Sequence, residues 1–385
     1  MIYMDNAATT SLKPEVFEKM KTYMLDNFAN PASVYSFAGQ AKKAVDQARD
    51  FIASSIHARN SEIYFTAGGS ESDNWALKAV AEARADQGRH IITSKIEHHA
   101  VLHTCQWLER QGYQVTYLDV DKEGRISLEE LKQAIRPDTI LISIMFANNE
   151  VGTIQPVAEI GKIAHEKGIL FHTDAVQAYG HIPIDVDAME IDLLSASGHK
   201  FHGPKGVGFL YIKNGIQIGS FIHGGKQERA RRAGTLNVPG IVGMGEAARL
   251  ALDGMEENRK KQEKLRDYLI ERVLEEIPHV QLNGSRRDRL PNNANFSFAY
   301  VEGESLLIML DQKDIYASSG SACTSGSLDP SHVLIAMGQE EELAFGSLRL
   351  TLSEDNTRDE VDYVVNEIKK IVDRLRALSP FYEEE

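Results

Sequence analysis

The chain has 385 residues, of which 42% are apolar and 25% are charged, as is typical of a globular protein. This length exceeds one ordinary hydrophobic core and favours a large domain joined to a smaller one. The formal net charge of -14 argues against a general nucleic-acid or DNA binder, because such proteins need cationic surface to meet phosphates.

Targeting signals and disulfides are not evident in the sequence. No apolar run is long enough to span a membrane, and the first residues lack the basic and apolar regions of a secretory signal. Cys105 and Cys323 are the only cysteines, so a disulfide framework is excluded and a reducing cytoplasm is expected. Cys105 lies in the helix-like stretch 101–108, where a small buried side chain is the expected role.

The order of the predicted elements indicates an α/β fold with a mainly parallel sheet, because helical and strand patterns alternate over most of the large N-terminal part. Apolar runs at 140–145 and 169–171 predict buried strands, and polar residues follow each run, where such sheets bind ligands. Residues 247–276 predict one long exposed helix that bridges two domains. The remainder predicts a smaller α+β domain that ends with a helix over 358–378.

The first candidate binding segment, residues 67–74, lies between a strand-like and a helix-like stretch. Gly69 leaves backbone N–H groups free to face an anion at the start of the helix, and Ser70 adds a hydroxyl donor. An ordinary serine-capped helix explains the same residues. The residues alone favour that plainer interpretation.

Asp174 follows the apolar run 169–171 and is the second candidate. A carboxylate at the end of a buried strand is costly unless a cation or hydrogen-bond donors meet it. A protonated pyridine nitrogen would be such a partner, but Asp174 would equally serve as a helix cap. Both alternatives remain open at this level.

Lys200 lies in the glycine-rich stretch 195–206, between apolar segments. A lysine there can hold an aldehyde as a Schiff base when its pKa is lowered, and Ser197 and His199 are placed to reach a phosphate. Lys205 competes for the same role, and a turn with two solvated lysines is the plain alternative. His98, His99 and His103 raise the question of a metal, but no glutamate lies between the last two as a zincin motif requires, so no metal is expected.

Cys323 and Arg349 complete the candidates. Cys323 lies in a loop of small residues, 318–327, that suits an accessible nucleophile, although an inert loop cysteine is the alternative. Arg349 lies in a strand-like apolar segment, where a buried guanidinium requires a carboxylate. That carboxylate belongs either to the protein or to a substrate, and the sequence leaves both open.

The order of these motifs resembles the group I cysteine desulfurases, the NifS/IscS branch of the class V aminotransferase-fold enzymes that use pyridoxal 5'-phosphate (PLP). The likeness runs from Asp5 to Arg349, and its most specific parts are the Ser-Gly-His-Lys run ending at Lys200 and the loop around Cys323. The resemblance implies the fold of type I PLP-dependent transferases. It also implies that L-cysteine is converted to L-alanine while sulfur passes to Cys323 as a persulfide.

The resemblance further implies a role for each matching residue. Lys200 binds PLP covalently, Cys323 accepts sulfur, and His98 stacks on the ring and carries protons. Asp174 pairs with the ring nitrogen. The remaining implied contacts are those of Gln177 and Asn149 with the ring oxygen, of Gly69, Ser70, Ser197, His199 and a neighbouring subunit's Thr235 with the phosphate, and of Arg349, Asn30 and Asn149 with the substrate carboxylate.

The implied assembly is a homodimer that passes sulfur to an acceptor protein such as an iron–sulfur scaffold. The expected division is an N-terminal segment, 1–12, that packs with the small domain, a large PLP-binding domain, 13–252, and a small domain, 253–385. Other PLP reactions on the same fold, such as selenocysteine lyase, are the nearest rivals. A catalytically inactive binding protein is the rival of a different class.

Overall fold

A computed structural model of the chain describes residues 1–319, 329–380 and 382. The helices are α1 (Pro14–Leu25), α2 (Ser36–Ser55), α3 (Gly69–Ala83), α4 (His99–Arg110), α5 (Leu128–Ala134), α6 (Val157–Glu166), α7 (Gln227–Ala230), α8 (Val238–Asp253), α9 (Met255–Glu276), α10 (Gly303–Asp311), α11 (His332–Ala336), α12 (Glu341–Phe345) and α13 (Arg358–Leu378). The strands are β1 (Ile2–Tyr3), β2 (Ile63–Thr66), β3 (His90–Ser94), β4 (Gln114–Leu118), β5 (Thr139–Ser143), β6 (Leu170–Asp174), β7 (Leu193–Ser197), β8 (Gly208–Ile212), β9 (Val280–Leu282), β10 (Asn293–Phe298), β11 (Ile315–Tyr316) and β12 (Ser347–Thr351).

A seven-stranded sheet in the order β2-β8-β7-β6-β5-β3-β4 forms the centre of the large N-terminal part. Within it, β8 runs against its neighbours β2 and β7, and the other pairs are parallel. Every residue of β5 and β6 is buried, as expected where helices cover both faces of a parallel sheet. The predicted α/β fold with a mainly parallel sheet is confirmed.

The carboxyl ends of the central strands lie at one edge of this sheet and position the candidate residues. Asp174 ends β6 and Ser197 ends β7, while His98 follows β3 and Asn149 follows β5. Because the parallel strands point the same way, these residues reach the same edge, where open α/β sheets bind ligands.

A second core lies around the antiparallel sheet β12-β10-β9. Its buried apolar side chains come from Met4 and from residues 265–372, mainly on α9, α10, α13 and the strands. Helix α13 covers the range 358–378 predicted from the sequence. Thr357 and Glu360 form a reciprocal capping box at its start, which fixes the first residue of the helix.

The predicted single bridging helix over residues 247–276 is wrong. The structure has two helices, α8 and α9, which meet at Gly254. The Gly254 N–H still bonds to the Leu250 oxygen, but a Cβ at Gly254 would lie only 2.9 Å from Nδ2 of Asn258. Glycine has a low helix propensity, which fits a break at this position, and the dense run of charged residues in the predicted stretch begins with α9.

The N-terminal segment contacts both parts of the molecule. Strand β1 pairs with β11, and Asp5 forms a bridge with Thr351 of β12. Thr10 bonds through its N–H and its hydroxyl to the His199 oxygen at 2.9 and 3.0 Å. Within the described part of the chain, no helix is long and apolar enough to cross a membrane.

Candidate active site

A cavity of about 210 Å³ opens at the carboxyl edge of the central sheet. Most of the residues that the sequence analysis predicts to bind the cofactor line this cavity. These are Gly69, Ser70, His98, Asn149, Asp174, Gln177, Ser197, His199 and Lys200. The other described residues of the lining are Ala7, Asp73, Met145, Ala147 and Val176.

One end of the cavity is the N-terminus of α3. No side chain caps this helix, so its first N–H groups stay available to a ligand. A Cβ at Gly69 would lie 2.6 Å from Cγ2 of Val176, which requires glycine here and lets the backbone border the cavity. With the Ser70 and Ser197 hydroxyls beside it, this end of the cavity suits an anion such as a phosphate.

Lys200 lies directly after β7, in a turn of 3-10 helix formed by Gly198–Lys200. Its Nζ donates to the carbonyl oxygens of Ala7 at 2.6 Å and of Ala8 at 2.9 Å. The amine is therefore held at the cavity by the N-terminal segment. Lys205, the rival from the sequence, is exposed and does not line this cavity.

Asp174 provides the cavity with a buried carboxyl group. Its Oδ1 accepts a hydrogen bond from the Val176 N–H at 2.9 Å. Burial raises the pKa of Asp174 to about 6, and the Val176 bond and the Lys200 charge offset only part of that increase. A cation placed against this carboxyl group would stabilise its ionised form, so this end of the cavity favours a positively charged ring atom.

The two histidines at the cavity are neutral near pH 7. Burial, followed by the Lys200 charge, lowers the pKa of His98 to about 4 and that of His199 to about 4. The Ala100 N–H donates to Nδ1 of His98 at 3.1 Å, so the proton of the neutral His98 ring resides on Nε2. His199 shares a hydrogen bond of 3.1 Å with the Thr9 hydroxyl.

Arg349 is buried on β12 beside the cavity rather than in its lining. Its Nη1 donates to the backbone carbonyl oxygen of Asn149 at 3.0 Å, and its Nη2 donates to Oδ1 of Asp5 at 2.9 Å. Nε has no partner among the residues that the structure describes. Among the described residues, Asp5 is thus the one carboxylate paired with this guanidinium, and the Nε donor is left without a partner.

The other predicted residues lie apart from the Lys200 cavity. Asn30 and Thr235 are exposed, and Asn30 lines a separate cavity of about 250 Å³ together with Leu236, the neighbour of Thr235. Arg49 and Glu228 also line this second cavity and form a bidentate ion pair of 2.7 and 2.6 Å. Cys323 lies outside the described residues.

Sequence inspection missed three acidic residues at or near the site. Asp5 is paired with Arg349, Asp73 lines the cavity, and Glu97 is buried beside it. Asp73 is four residues after Gly69, which is one helical turn and therefore the same side of α3. That spacing is the one signal in the sequence that points to it.

Glu97 gives the site a dependence on pH. Its Oε1 accepts from the Ser94 hydroxyl at 2.6 Å and from the Met145 N–H at 3.0 Å, whereas Oε2 has no partner among the described residues. Burial raises the pKa of Glu97 to about 8 from a model-compound value of 4.5. Between these two values the folded protein binds a proton that the unfolded chain lacks, so this group destabilises the fold as pH rises.

We therefore expect Glu97→Gln to become more stable, relative to the parent protein, as pH rises from about 5 to about 8.5, by up to about 1.4 kcal/mol per pH unit. The amide oxygen can keep both hydrogen bonds and the group cannot ionise. Urea unfolding at several pH values measures the difference. Glu166→Gln, at an exposed site on α6, is the control and should show no such trend. Equal slopes for Glu97→Gln and the parent protein would contradict the assignment.

Comparison with known proteins identifies the family. The family described as Aminotransferase class-V matches residues 2–364. A cysteine desulfurase IscS of Methanosarcina thermophila is 58% identical over 100% of this chain and 95% of that protein. One from Clostridium botulinum (strain Hall / ATCC 3502 / NCTC 13319 / Type A) is 55% identical over 100% of this chain and 97% of that protein.

Solved structures agree with the sequences. A NifS-like protein superposes with a TM-score of 0.91 at 41% identity, covering 97% of this chain and 99% of the other. A structure described as SspA in complex with cysteine has a TM-score of 0.83 at 40% identity, covering 93% of this chain and 100% of the other. The chain therefore belongs to the class-V aminotransferase family and, within it, to the PLP-dependent cysteine desulfurases.

Proposed function

We propose that this protein converts L-cysteine to L-alanine and transfers the sulfur atom to its own Cys323. Family membership supports the reaction. The observation that carries the assignment of residues is the arrangement of one cavity, where the Lys200 amine, the Asp174 carboxyl group and the uncapped N-terminus of α3 lie together.

The residues at this cavity fit PLP. Asp174 is a buried carboxyl group with a raised pKa, which a protonated ring nitrogen would stabilise. The start of α3 offers free N–H groups to the phosphate. We assign Gly69, Ser70, Ser197 and His199 to the phosphate, Lys200 to the aldehyde, His98 to the ring face, and Asn149 and Gln177 to the ring oxygen.

When bound, PLP supplies an aldehyde that captures the substrate amine and a cationic ring that accepts the electrons of the substrate Cα–H bond. The protein moves the protons. Lys200, once its amine is free, removes the Cα proton, and the contacts from Ala7 and Ala8 hold its Nζ at the cavity. His98 is neutral, so it can take up a proton at Nδ1, where that proton replaces the hydrogen bond from the Ala100 N–H.

The sulfur step requires a nucleophilic thiolate. Cys323 attacks the substrate sulfur, the substrate Cβ–S bond breaks, and its electron pair stays on carbon, which then takes up a proton. The products are a persulfide on Cys323 and L-alanine, so no external oxidant or reductant is needed. Cys105 does not qualify, because its side chain is fully buried and burial raises the pKa of its thiol.

Arg349 is assigned to the substrate carboxylate, assisted by Asn149 and Asn30. We expect Arg349→Lys to raise the KM for L-cysteine by about 10-fold or more, because lysine cannot form a bidentate pair with a carboxylate. Steady-state alanine formation measures this. Asp5→Asn is the control. It should lower the free energy of unfolding, because the buried Arg349 charge loses its partner. It should nevertheless lower KM, because Arg349 is then available to the substrate carboxylate. An unchanged KM in Arg349→Lys would remove Arg349 from substrate binding.

The remaining proposals concern assembly and location. We propose a homodimer in which Thr235 of one subunit contacts the phosphate in its neighbour, since in a single chain Thr235 is exposed and does not line the Lys200 cavity.

We also propose the domain division 1–12, 13–252 and 253–385, a cytoplasmic location, and an acceptor protein such as an iron–sulfur scaffold. Separate hydrophobic cores support the division of the chain.

The test of the function is to incubate the purified protein with L-cysteine without reductant and to analyse its peptides by mass spectrometry. One added sulfur atom on the Cys323 peptide, an unmodified Cys105 peptide and an equal amount of L-alanine are expected. Alanine without sulfur on Cys323 would indicate a lyase that bypasses the thiol. Absence of alanine from a PLP-loaded protein would refute the proposed reaction.

A further inference from the structure

Asp73 is a buried carboxyl group that the proposed mechanism does not use. It lies on α3, 1% of its surface is exposed, and it lines the same cavity as Asp174. Its Oδ1 has no hydrogen-bond partner among the described residues. A buried carboxyl oxygen without a partner is costly, so its position at a ligand cavity points to a role there.

A chain of polar side chains connects Asp73 to the strand that carries Asp174. His172 on β6 shares hydrogen bonds with the Ser143 hydroxyl at 2.9 Å and with the Ser195 hydroxyl at 3.0 Å. Its Nε2 lies 3.7 Å from Oδ1 of Asp73, and the Ser195 side chain lowers the pKa of Asp73. Ser195 thus contacts the histidine directly and acts on the carboxyl group as a neighbouring polar group.

The sheet register places this chain next to Asp174. His172 and Asp174 are two residues apart on β6, so their side chains point to the same face of the sheet. Ser195 is the register partner of Asp174 on β7. Asp73 contacts this face of the sheet from α3, the helix whose N-terminus borders the other end of the cavity. It thereby links the proposed phosphate end to the proposed ring-nitrogen end.

The charges at this end of the cavity do not balance without a ligand. Burial, followed by the Asp174 charge, raises the pKa of Asp73 well above its usual value, and the Ser195 side chain offsets part of this. His172 adds no positive charge, because burial lowers its pKa to about 3. The Lys200 charge lowers the pKa of Asp174 but is not among the causes that act on Asp73, whose pKa Glu97 raises further. One cation does not balance two neighbouring buried carboxylates, so together they retain a proton.

We propose that Asp73 is a positioning residue that acts through Asp174: the two carboxyl groups share one proton, which passes to the ring nitrogen when PLP binds. The proton leaves the carboxyl pair and joins the nitrogen lone pair, so no proton is taken from solvent. Both carboxylates then face one cationic ring. This inference rests on the proposed function, because it requires PLP with its ring nitrogen at Asp174.

The test is the pH titration of the visible absorbance of PLP bound to Lys200, in the holoenzyme and in Asp73→Asn. Asparagine keeps the shape of the side chain but removes its charge. We expect the titration midpoint to fall by at least about 0.5 pH unit, because a nearby anion that favoured the cationic cofactor is lost. We also expect the dissociation constant of PLP to rise by about 5-fold or more, whereas the apoprotein should unfold at no lower urea concentration.

Two further variants separate this role from a structural one. Asp192→Asn removes another buried carboxylate, which accepts from the Phe171 N–H at 2.9 Å and does not line the cavity, and it should lower stability without moving the titration. Ser195→Ala keeps Asp73 but removes the neighbouring hydroxyl group. The midpoint of its PLP absorbance titration should therefore fall as well, by a smaller amount. This variant tests the role of Asp73 if Asp73→Asn does not fold.

Unchanged midpoints and PLP affinities in both Asp73→Asn and Ser195→Ala, in a wild-type protein that binds PLP, would overturn the inference alone. A wild-type protein that binds PLP but forms no alanine from L-cysteine would instead overturn the proposed reaction.

Discussion

Replacing Lys200 by alanine is expected to abolish covalent attachment of PLP and to lower alanine formation from L-cysteine by about 1,000-fold or more. The variant loses both the amine that binds the aldehyde and the base that removes the Cα proton, and each such contribution is large. Reduction of the holoenzyme with borohydride, followed by peptide mass spectrometry, measures attachment. Steady-state assays measure the rate.

Lys205→Ala is the matched control for this prediction. Lys205 is five residues further along the same segment, is exposed and does not line the cavity, so its variant should keep both the attached PLP and the activity. If PLP is instead attached to Lys205, or if Lys200→Ala keeps its activity, the assignment of the lysine is wrong.

The fold could be predicted where local sequence determines local structure. The apolar run at 169–171 is short and continuous, and β6 forms there because burial on both faces requires such a run. Helix α13 has its start fixed by the capping box at Thr357 and Glu360. Gly254 was a visible signal as well, but the charged periodicity after it masked the break between α8 and α9.

The site was predictable in part because its motifs follow the ends of successive strands. Lys200, Asp174, His98 and Gly69 each lie at such a boundary, and parallel strands bring these boundaries to one edge. Pairings between distant segments left no comparable signal. Asp5 and Arg349 are 344 positions apart, and nothing in either local sequence indicates that one neutralises the other.

The N-terminal segment shows why such pairings matter for the reaction. Asp5 holds Arg349, while the carbonyl oxygens of Ala7 and Ala8 hold Nζ of Lys200 and that of Ala7 also accepts from Gln177. One short stretch thus contacts both the group proposed for the substrate carboxylate and the group proposed for the aldehyde. Three of these four contacts are made by backbone carbonyl oxygens of Ala7 and Ala8, which explains why side-chain chemistry alone did not predict them.

Replacing Cys323 by alanine is expected to separate cofactor chemistry from sulfur transfer. The variant should bind PLP with the same visible spectrum, because every described residue that lines the Lys200 cavity is kept. It should form no persulfide, and alanine formation should fall by about 100-fold or more, because no other thiol is placed to accept the sulfur. Mass spectrometry after incubation with L-cysteine, together with alanine assays, measures both effects.

Cys105→Ala provides the control for the loss of a thiol. Cys105 is fully buried on α4 in a hydrophobic cluster, and burial raises the pKa of its thiol, so it remains protonated and inaccessible. This variant should lose some stability through the small cavity it leaves but should keep persulfide formation. If Cys323→Ala still forms alanine at the wild-type rate, the sulfur leaves by a route that needs no protein thiol. The reaction would then be that of a lyase.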